Sequence, residues 1–516
     1  MTADRTRHVV DPTAESPPNS RRWAVLAVLC FSLFLAGVDL TVLHIAAPSL
    51  AADLRPSNTS LLWILDAYSL TVAALLVTFG TLSDKLGRKK IVLTGFVVFG
   101  VASLACALST SAAQLIPARI ILGIGTAMIM ASTVSIIRVV FTDGKERTFA
   151  IGLWTAAHSL GASLGPVVGG FLVEHFWWGS VFLVNVPIVL IVTIVGIAVI
   201  PESKNPVPRT WDALSAIASI IALGFIVYSI KSVGSELKID TVSIVFAVVG
   251  IVFLVLFVRR QLRIPEPLLD LRLFSDRRFS VATFCVLICF GSYTAMLYFL
   301  AQWFQYVGNY SSLRAGLALT PLALANAAGA ALASRASSRV GLRWSITAGL
   351  STAGIGLILL NLIADLDAYP TLIPTLLMVG AGAGIIMTLG ADAIMTAASP
   401  DRAGEAAAIQ ETSFELGAGL GIAVLGTALA IAYRLSLTLP EGTAPQGNSD
   451  PTAILASTVK PIPEVVESAV QAYDVAIHTV SYIAAAALLA SAALACLLLR
   501  FDTDRKNDAI GADGVN

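Results

Sequence analysis

Apolar residues in this chain come in blocks of about 20, separated by short polar segments, and a block of that length crosses a bilayer as a helix. Along the sequence the blocks fall at 23–45, 61–82, 91–108, 115–137, 148–173, 180–200, 213–230, 241–258, 280–303, 314–334, 344–362, 371–395, 406–433 and 478–499, which predicts fourteen crossings. An even number puts both termini on one side. The polar segments decide which side. With residues 1–22 inside, the segments on the inner side hold 26 of the 33 Lys and Arg, the outer loops hold six when Arg314 at the outer edge of the tenth block is counted with them, and Arg119 falls within the fourth block. Basic residues are retained on the cytoplasmic face, so both termini are expected there. The first 22 residues lack a short apolar stretch with a small-residue cleavage site, and no cleaved signal is expected.

Two polar stretches exceed ordinary loops. Residues 259–278 (RRQLRIPEPLLDLRLFSDRR) are basic and amphipathic, which predicts a segment lying among lipid headgroups. Residues 434–477 are Pro-rich at first, then turn helical from Glu464, with Val465, Val466, Ala469, Val470 and Tyr473 as an apolar stripe. That segment reads equally as a spacer or as a lid over an outer opening.

Composition removes whole classes of function. Hydrophobic residues make up 56% of the 516 and charged ones 13%, too few charges to keep a soluble protein of this length dispersed. The net charge is zero, so no basic footprint for nucleic acid exists. Arg outnumbers Lys 24 to 9, which hints at a bacterial source. The five cysteines all sit in apolar runs, and Cys285 and Cys289, although four apart, have no His or acid nearby, so core packing is expected rather than a metal site. The five histidines are scattered and form no nucleophile–base set. Neither an enzyme nor a cofactor is expected.

An internal repeat sets the architecture. The turn after the second block reads Gly80-Thr-Leu-Ser-Asp84-Lys-Leu-Gly87-Arg88-Lys-Lys90, and a worn copy, Ser334 to Arg343, follows the tenth at an offset of 254. Leu160-Gly161-Ala-Ser-Leu164-Gly165 in the fifth block returns as Leu416-Gly417-Ala-Gly-Leu420-Gly421 in the thirteenth, at an offset of 256. The two nearly equal offsets predict an all-α polytopic membrane protein of two six-helix halves, 23–200 and 279–499, with an inserted helix pair and its linkers at 201–278 and tails at 1–22 and 500–516. Repeated halves place a substrate site between them near the middle of the membrane.

The run Gly80 to Lys90 resembles the loop signature of the major facilitator superfamily. Gly80 and Gly87 allow close approach and a tight turn, and Asp84 can cap a helix end or pair with an Arg. The resemblance implies a conformational switch built on Gly80, Asp84, Gly87 and Arg88. Gly161-Ala-Ser-Leu-Gly165-Pro166-Val-Val-Gly169-Gly170 flattens one helix face and permits a bend; it looks like the run found in the antiporter branch of that superfamily. Span one, with Asp39, Thr41 and Pro48, is similar to the first-helix signature of its fourteen-span drug:H⁺ antiporters, except that His44 stands where asparagine is common. Further matching phrases are Trp63 to Tyr68, Phe182 to Pro187 and Pro267 to Phe274, so the resemblance covers essentially the whole chain.

Charges within the spans carry the candidate chemistry. Arg119 cannot shed its proton and needs a carboxylate partner, for which Asp39 and Asp66 both qualify; Asp66 reads equally as a cap at the outer end of span two. Glu411 and Glu415 lie four apart on one face of span thirteen, and protonating one relieves their repulsion, although Glu411 also reads as a wet residue near the inner interface. With Asp39, Asp66 and Arg119, the resemblance implies proton coupling and cation recognition. Trp63, Tyr68, Tyr298 and Phe414 supply ring faces suited to lipophilic cations. The resulting expectation is a monomeric, proton-coupled exporter of lipophilic cationic drugs, dyes or antiseptics in the bacterial cytoplasmic membrane. A dedicated exporter of one endogenous compound and a non-transporting membrane sensor stand as alternatives.

Overall fold

The computed structural model describes residues 19–204, 212–236, 241–265, 267–363, 366, 368–397, 403–438 and 463–499. Most of both predicted tails and residues 439–462 of the long second polar stretch lie outside the described residues. Among those described, fourteen helices are long and apolar enough to cross a membrane, and no strand occurs. The first half comprises α1 (Arg21–Leu54), α2 (Thr59–Leu86), α3 (Arg88–Ala107), α4 (Ala112–Val140), α5 (Phe149–His175) and α6 (Ser180–Val199). The inserted pair is α7 (Ala213–Ser232) and α8 (Thr241–Arg263). The second half comprises α9 (Arg277–Tyr306), α10 (Ser312–Val340), α11 (Leu342–Ile363), α12 (Tyr369–Ala397), α13 (Ala408–Ser436) and α14 (Glu464–Leu498).

The repeat seen in the sequence is also a repeat in space. Gly87 ends α2 and opens α3 at φ +116°, and Gly341 does the same between α10 and α11 at φ +83°. They are the two glycines with positive φ among the described residues, 254 positions apart. A side chain there would strain the turn. Small residues then bring equivalent helices together. A Cβ on Gly161 would fall 2.1 Å from the Phe34 carbonyl oxygen, closing α5 onto α1, and one on Gly421 would fall 2.3 Å from the Gly291 carbonyl oxygen, closing α13 onto α9. Backbone packed that closely leaves no room even for alanine.

Two elements differ from the sequence expectation, and a third gains detail. The helix of α7 continues to Glu236, so Lys231, which reads as the first residue of an outer loop, lies inside the bundle with 1% of its surface exposed. Within 259–278, the stretch expected among lipid headgroups, α8 runs to Arg263, a 3-10 turn spans Leu271–Ser275, and Asp276 caps α9 with its carboxylate. The stripe after Glu464 is not separate from the last crossing, since one helix runs from Pro463 to Leu498.

α8 turns Val248, Ile251, Val252 and Val255 outward, a face suited to lipid. α7 instead sits over the seam between the halves. Its Val227 packs with Leu70 of α2 and Ala423 of α13.

The halves are joined at the end opposite the Gly80–Lys90 loop. There Gly170 lies against Ser312 and Leu313, Gly316 against Pro166, and the Gln305 amide donates to the Ile45 carbonyl at 3.2 Å. Glu174 accepts from the Leu313 amide at 2.9 Å, capping the start of α10 from the other half. Toward the loop end, a Cβ on Gly80 or Gly152 would meet nothing within 4 Å.

Candidate functional site

Arg119, Asp39 and Asn185 form a polar knot inside the first half. Arg119 Nη1 donates to Asp39 Oδ2 at 2.7 Å, and both side chains are almost wholly buried. The other carboxylate oxygen accepts from Asn185 at 3.4 Å. Arg119 Nε donates to the Ile64 carbonyl at 3.0 Å, and the guanidinium lies over the Tyr68 ring at 4.8 Å and the Phe182 ring at 5.6 Å. Of the two carboxylates open to Arg119 in the sequence, the structure pairs it with Asp39. A buried guanidinium is tolerable when its charge is matched and its donors are used, and this one meets both conditions.

Asp66 has a different partner. It lies beyond the first turn of α2, whose N-terminus is capped by Ser57, so Asp66 is no cap. Its Oδ2 forms an ion pair at 2.8 Å with Lys231 Nζ, which also stands over the Trp63 ring at 4.2 Å. Lys231 is the residue that sequence reasoning missed. An ammonium at the end of an apolar run reads as the start of a loop, because alone in lipid it would be expelled. A signal did exist: acids lie well inside spans one, two and thirteen, while Arg119 was the one base placed well inside a span, Arg314 standing at the outer edge of the tenth.

Glu415 lies on α13 across the seam from α2, where it is hydrogen-bonded to Ser69. It is 2% exposed, and its Oε2 has no hydrogen-bond partner among the described residues. Glu411, one turn away, is half-buried. The four aromatic candidates separate. Trp63 faces Lys231, and Phe414 packs on Phe290 at 5.0 Å. Tyr68 is occupied with Arg119, while Tyr298 is bonded to Gln302, which also accepts from Tyr473 at 2.7 Å. His44 lies 5.6 Å from the Tyr298 ring across the junction of α1 and α9.

The loop residues form a local unit. Arg88 grips Asp84 through Nη2 at 2.8 Å and Nε at 3.0 Å, its amide donates to the Ser203 carbonyl, and Lys89 donates to Ile197 of α6. Gly161, Gly165 and Gly169 line the face of α5 against Phe34, Thr41 and Val42 of α1, while Gly170 and Pro166 meet the start of α10.

A buried charge set between two pseudo-repeated helical halves suits solute movement across a membrane. The sequence profile of the Major Facilitator Superfamily matches residues 29–422. The chain belongs to the major facilitator superfamily. It is therefore a membrane transporter rather than an enzyme. It is 36% identical over 489 residues to the multidrug efflux pump LfrA of Mycolicibacterium smegmatis, covering 93% of this chain and 97% of that one. It is 35% identical over 427 residues to the methyl viologen resistance protein SmvA of Salmonella typhimurium, covering 83% and 86%. A solved bacterial homologue of the human lysosomal transporter Spinster superposes with a TM-score of 0.65 at 18% identity, covering 93% of this chain and 98% of that one, which speaks to the fold.

Proposed function

We propose that this transporter is a proton-coupled antiporter that exports lipophilic cations, among them drugs, dyes and antiseptics, across the bacterial cytoplasmic membrane. It works as a monomer by alternating access, with both termini and the Gly80–Lys90 loop in the cytoplasm. The observation that carries this reading is Glu415, a carboxylate 2% exposed at the seam between the halves, with one oxygen lacking a hydrogen-bond partner. A carboxylate left so short of partners takes up whatever neutralises it, a proton or a cation. Similarity to a multidrug efflux pump and to a methyl viologen resistance protein supports the direction of transport and the substrate class.

In the conformation seen, the halves touch at the end away from the loop. The seam is then approached from the cytoplasm, where a cation exchanges for a proton on Glu415, with Glu411 one turn nearer the opening. Rocking of the halves parts α5 from α10 and presents the site outward. A proton arriving from the more acidic side neutralises the acids and expels the cation. Asp39, held by Arg119, is the second proton carrier; Asp66, Trp63 and Phe414 belong to the cation side, and the Asp84–Arg88 pair to the switch. Tyr68, beneath Arg119, and Tyr298, bonded to Gln302, are engaged within the protein rather than with substrate in this conformation.

The test is ethidium export from proteoliposomes under an imposed pH gradient. Export should follow the gradient in the wild type and vanish in Glu415→Gln and Asp39→Asn. Gradient-independent export would remove proton coupling, and binding of neutral or anionic compounds alone would favour a dedicated exporter of another class.

A further inference from the structure

The inserted helix α7 places a cation of its own in the membrane. Lys231 Nζ is held at 2.8 Å by Asp66 and at 4.2 Å over the Trp63 ring, with both charged side chains fully buried. Beyond this ion pair, neither the ammonium nor either Asp66 oxygen has a hydrogen-bond partner among the described residues. That is unusual, since a lysine carries three donors and a buried ammonium normally uses them. A carboxylate plus a ring face, with nothing that requires a donor hydrogen, is the chemistry that recognises a quaternary ammonium or phosphonium group. The next residue toward the N-terminus ties α7 to the other half, because Thr427 of α13 donates to the Ile230 carbonyl at 3.2 Å. The occupied box therefore lies where α7 touches both halves.

We propose that Lys231 is a tethered stand-in for the substrate's cationic group. It fills the Trp63–Asp66 box when no cation is bound, and a substrate must displace it. Lys231 is on this view a specificity-determining residue: weakly lipophilic cations fail to displace it, and permanently charged aromatic ones succeed. Its flexible four-carbon stem lets the ammonium withdraw while α7 stays packed. The inference rests on the cation-export reading above.

Binding of tetraphenylphosphonium to the purified full-length protein in nanodiscs tests it. Lys231→Met vacates the box and should tighten the dissociation constant by about tenfold, whereas Lys231→Arg should not. Adding Asp66→Asn to Lys231→Met should cancel the gain. Where the bare carboxylate makes Lys231→Met unstable, tetraphenylphosphonium should raise its Tm more than that of the wild type, because the ligand supplies the missing charge. Unchanged or weaker binding by Lys231→Met, or a Tm rise no larger than the wild type's, overturns the stand-in. A wild type that does not bind tetraphenylphosphonium at all would instead overturn the cation-export reading itself.

Discussion

Replacing Asp39 with Asn removes one charge and leaves the shape of the side chain nearly intact. Arg119 then keeps its hydrogen bond to the Ile64 carbonyl and its two ring faces. It loses its charge-matched partner at 2.7 Å, in a place where it is 1% exposed and cannot recruit water. Breaking a buried pair by removing one partner costs about 3–5 kcal/mol, most of it from the charge left behind. Replacing both members removes that residual charge, so Asp39→Asn with Arg119→Gln should recover about half or more of the loss. Thermal unfolding of the four variants in detergent, followed by reaction of the buried cysteines with a thiol dye, completes the cycle. Cys106, Cys285 and Cys289 are buried and become reactive only on unfolding. A double variant no more stable than Asp39→Asn alone would refute the claim that the uncompensated guanidinium is what destabilises the single one. Ethidium export should stay absent in the double variant even where stability returns, which separates structural from coupling roles.

Three further outcomes are expected. Gly421→Ala should destabilise by about 1–3 kcal/mol, because its Cβ meets Gly291 backbone that cannot yield, whereas Gly80→Leu, facing open space, should leave Tm within about 2 °C yet slow export, since the loop end must close in the other state; equal Tm losses would contradict this. Glu174→Gln weakens the cap on α10 that joins the halves and should shift the population toward the state open at that end; spin labels at the joined ends of α5 and α10 should report longer distances, and an unchanged distribution would dismiss the latch. Asp212, half-buried just before α7, is held down to about 2 by its hydrogen bonds from Arg260, so its contribution is complete above the ordinary carboxylate range and is lost as pH falls toward 2; the Tm difference between wild type and Asp212→Asn should be the same at pH 8 and 5 and shrink only in stronger acid, whereas a change between 8 and 5 would point to another group.

Hydropathy alone determined how often the chain crosses the membrane, and spaced glycines determined that it does so as two related halves. Both are local properties of the chain. Twenty apolar residues need lipid wherever they lie, and the turns at Gly87 and Gly341 need positive φ whatever packs around them. The buried acids were legible for the same reason, since a carboxylate inside an apolar block is conspicuous from its neighbours. Their partners were not. Asp39 and Asp66 looked alike to Arg119, and Lys231 looked like the edge of a loop. Only the packing of α4 against α1 and of α7 against α2 decided that there are two ion pairs instead of one contested arginine. The end at which the halves close was equally a tertiary decision, made by Gly170, Gly316 and Glu174 meeting across the seam. The desolvation of a charge depends on which helices surround it, and no window along the sequence contains that neighbourhood.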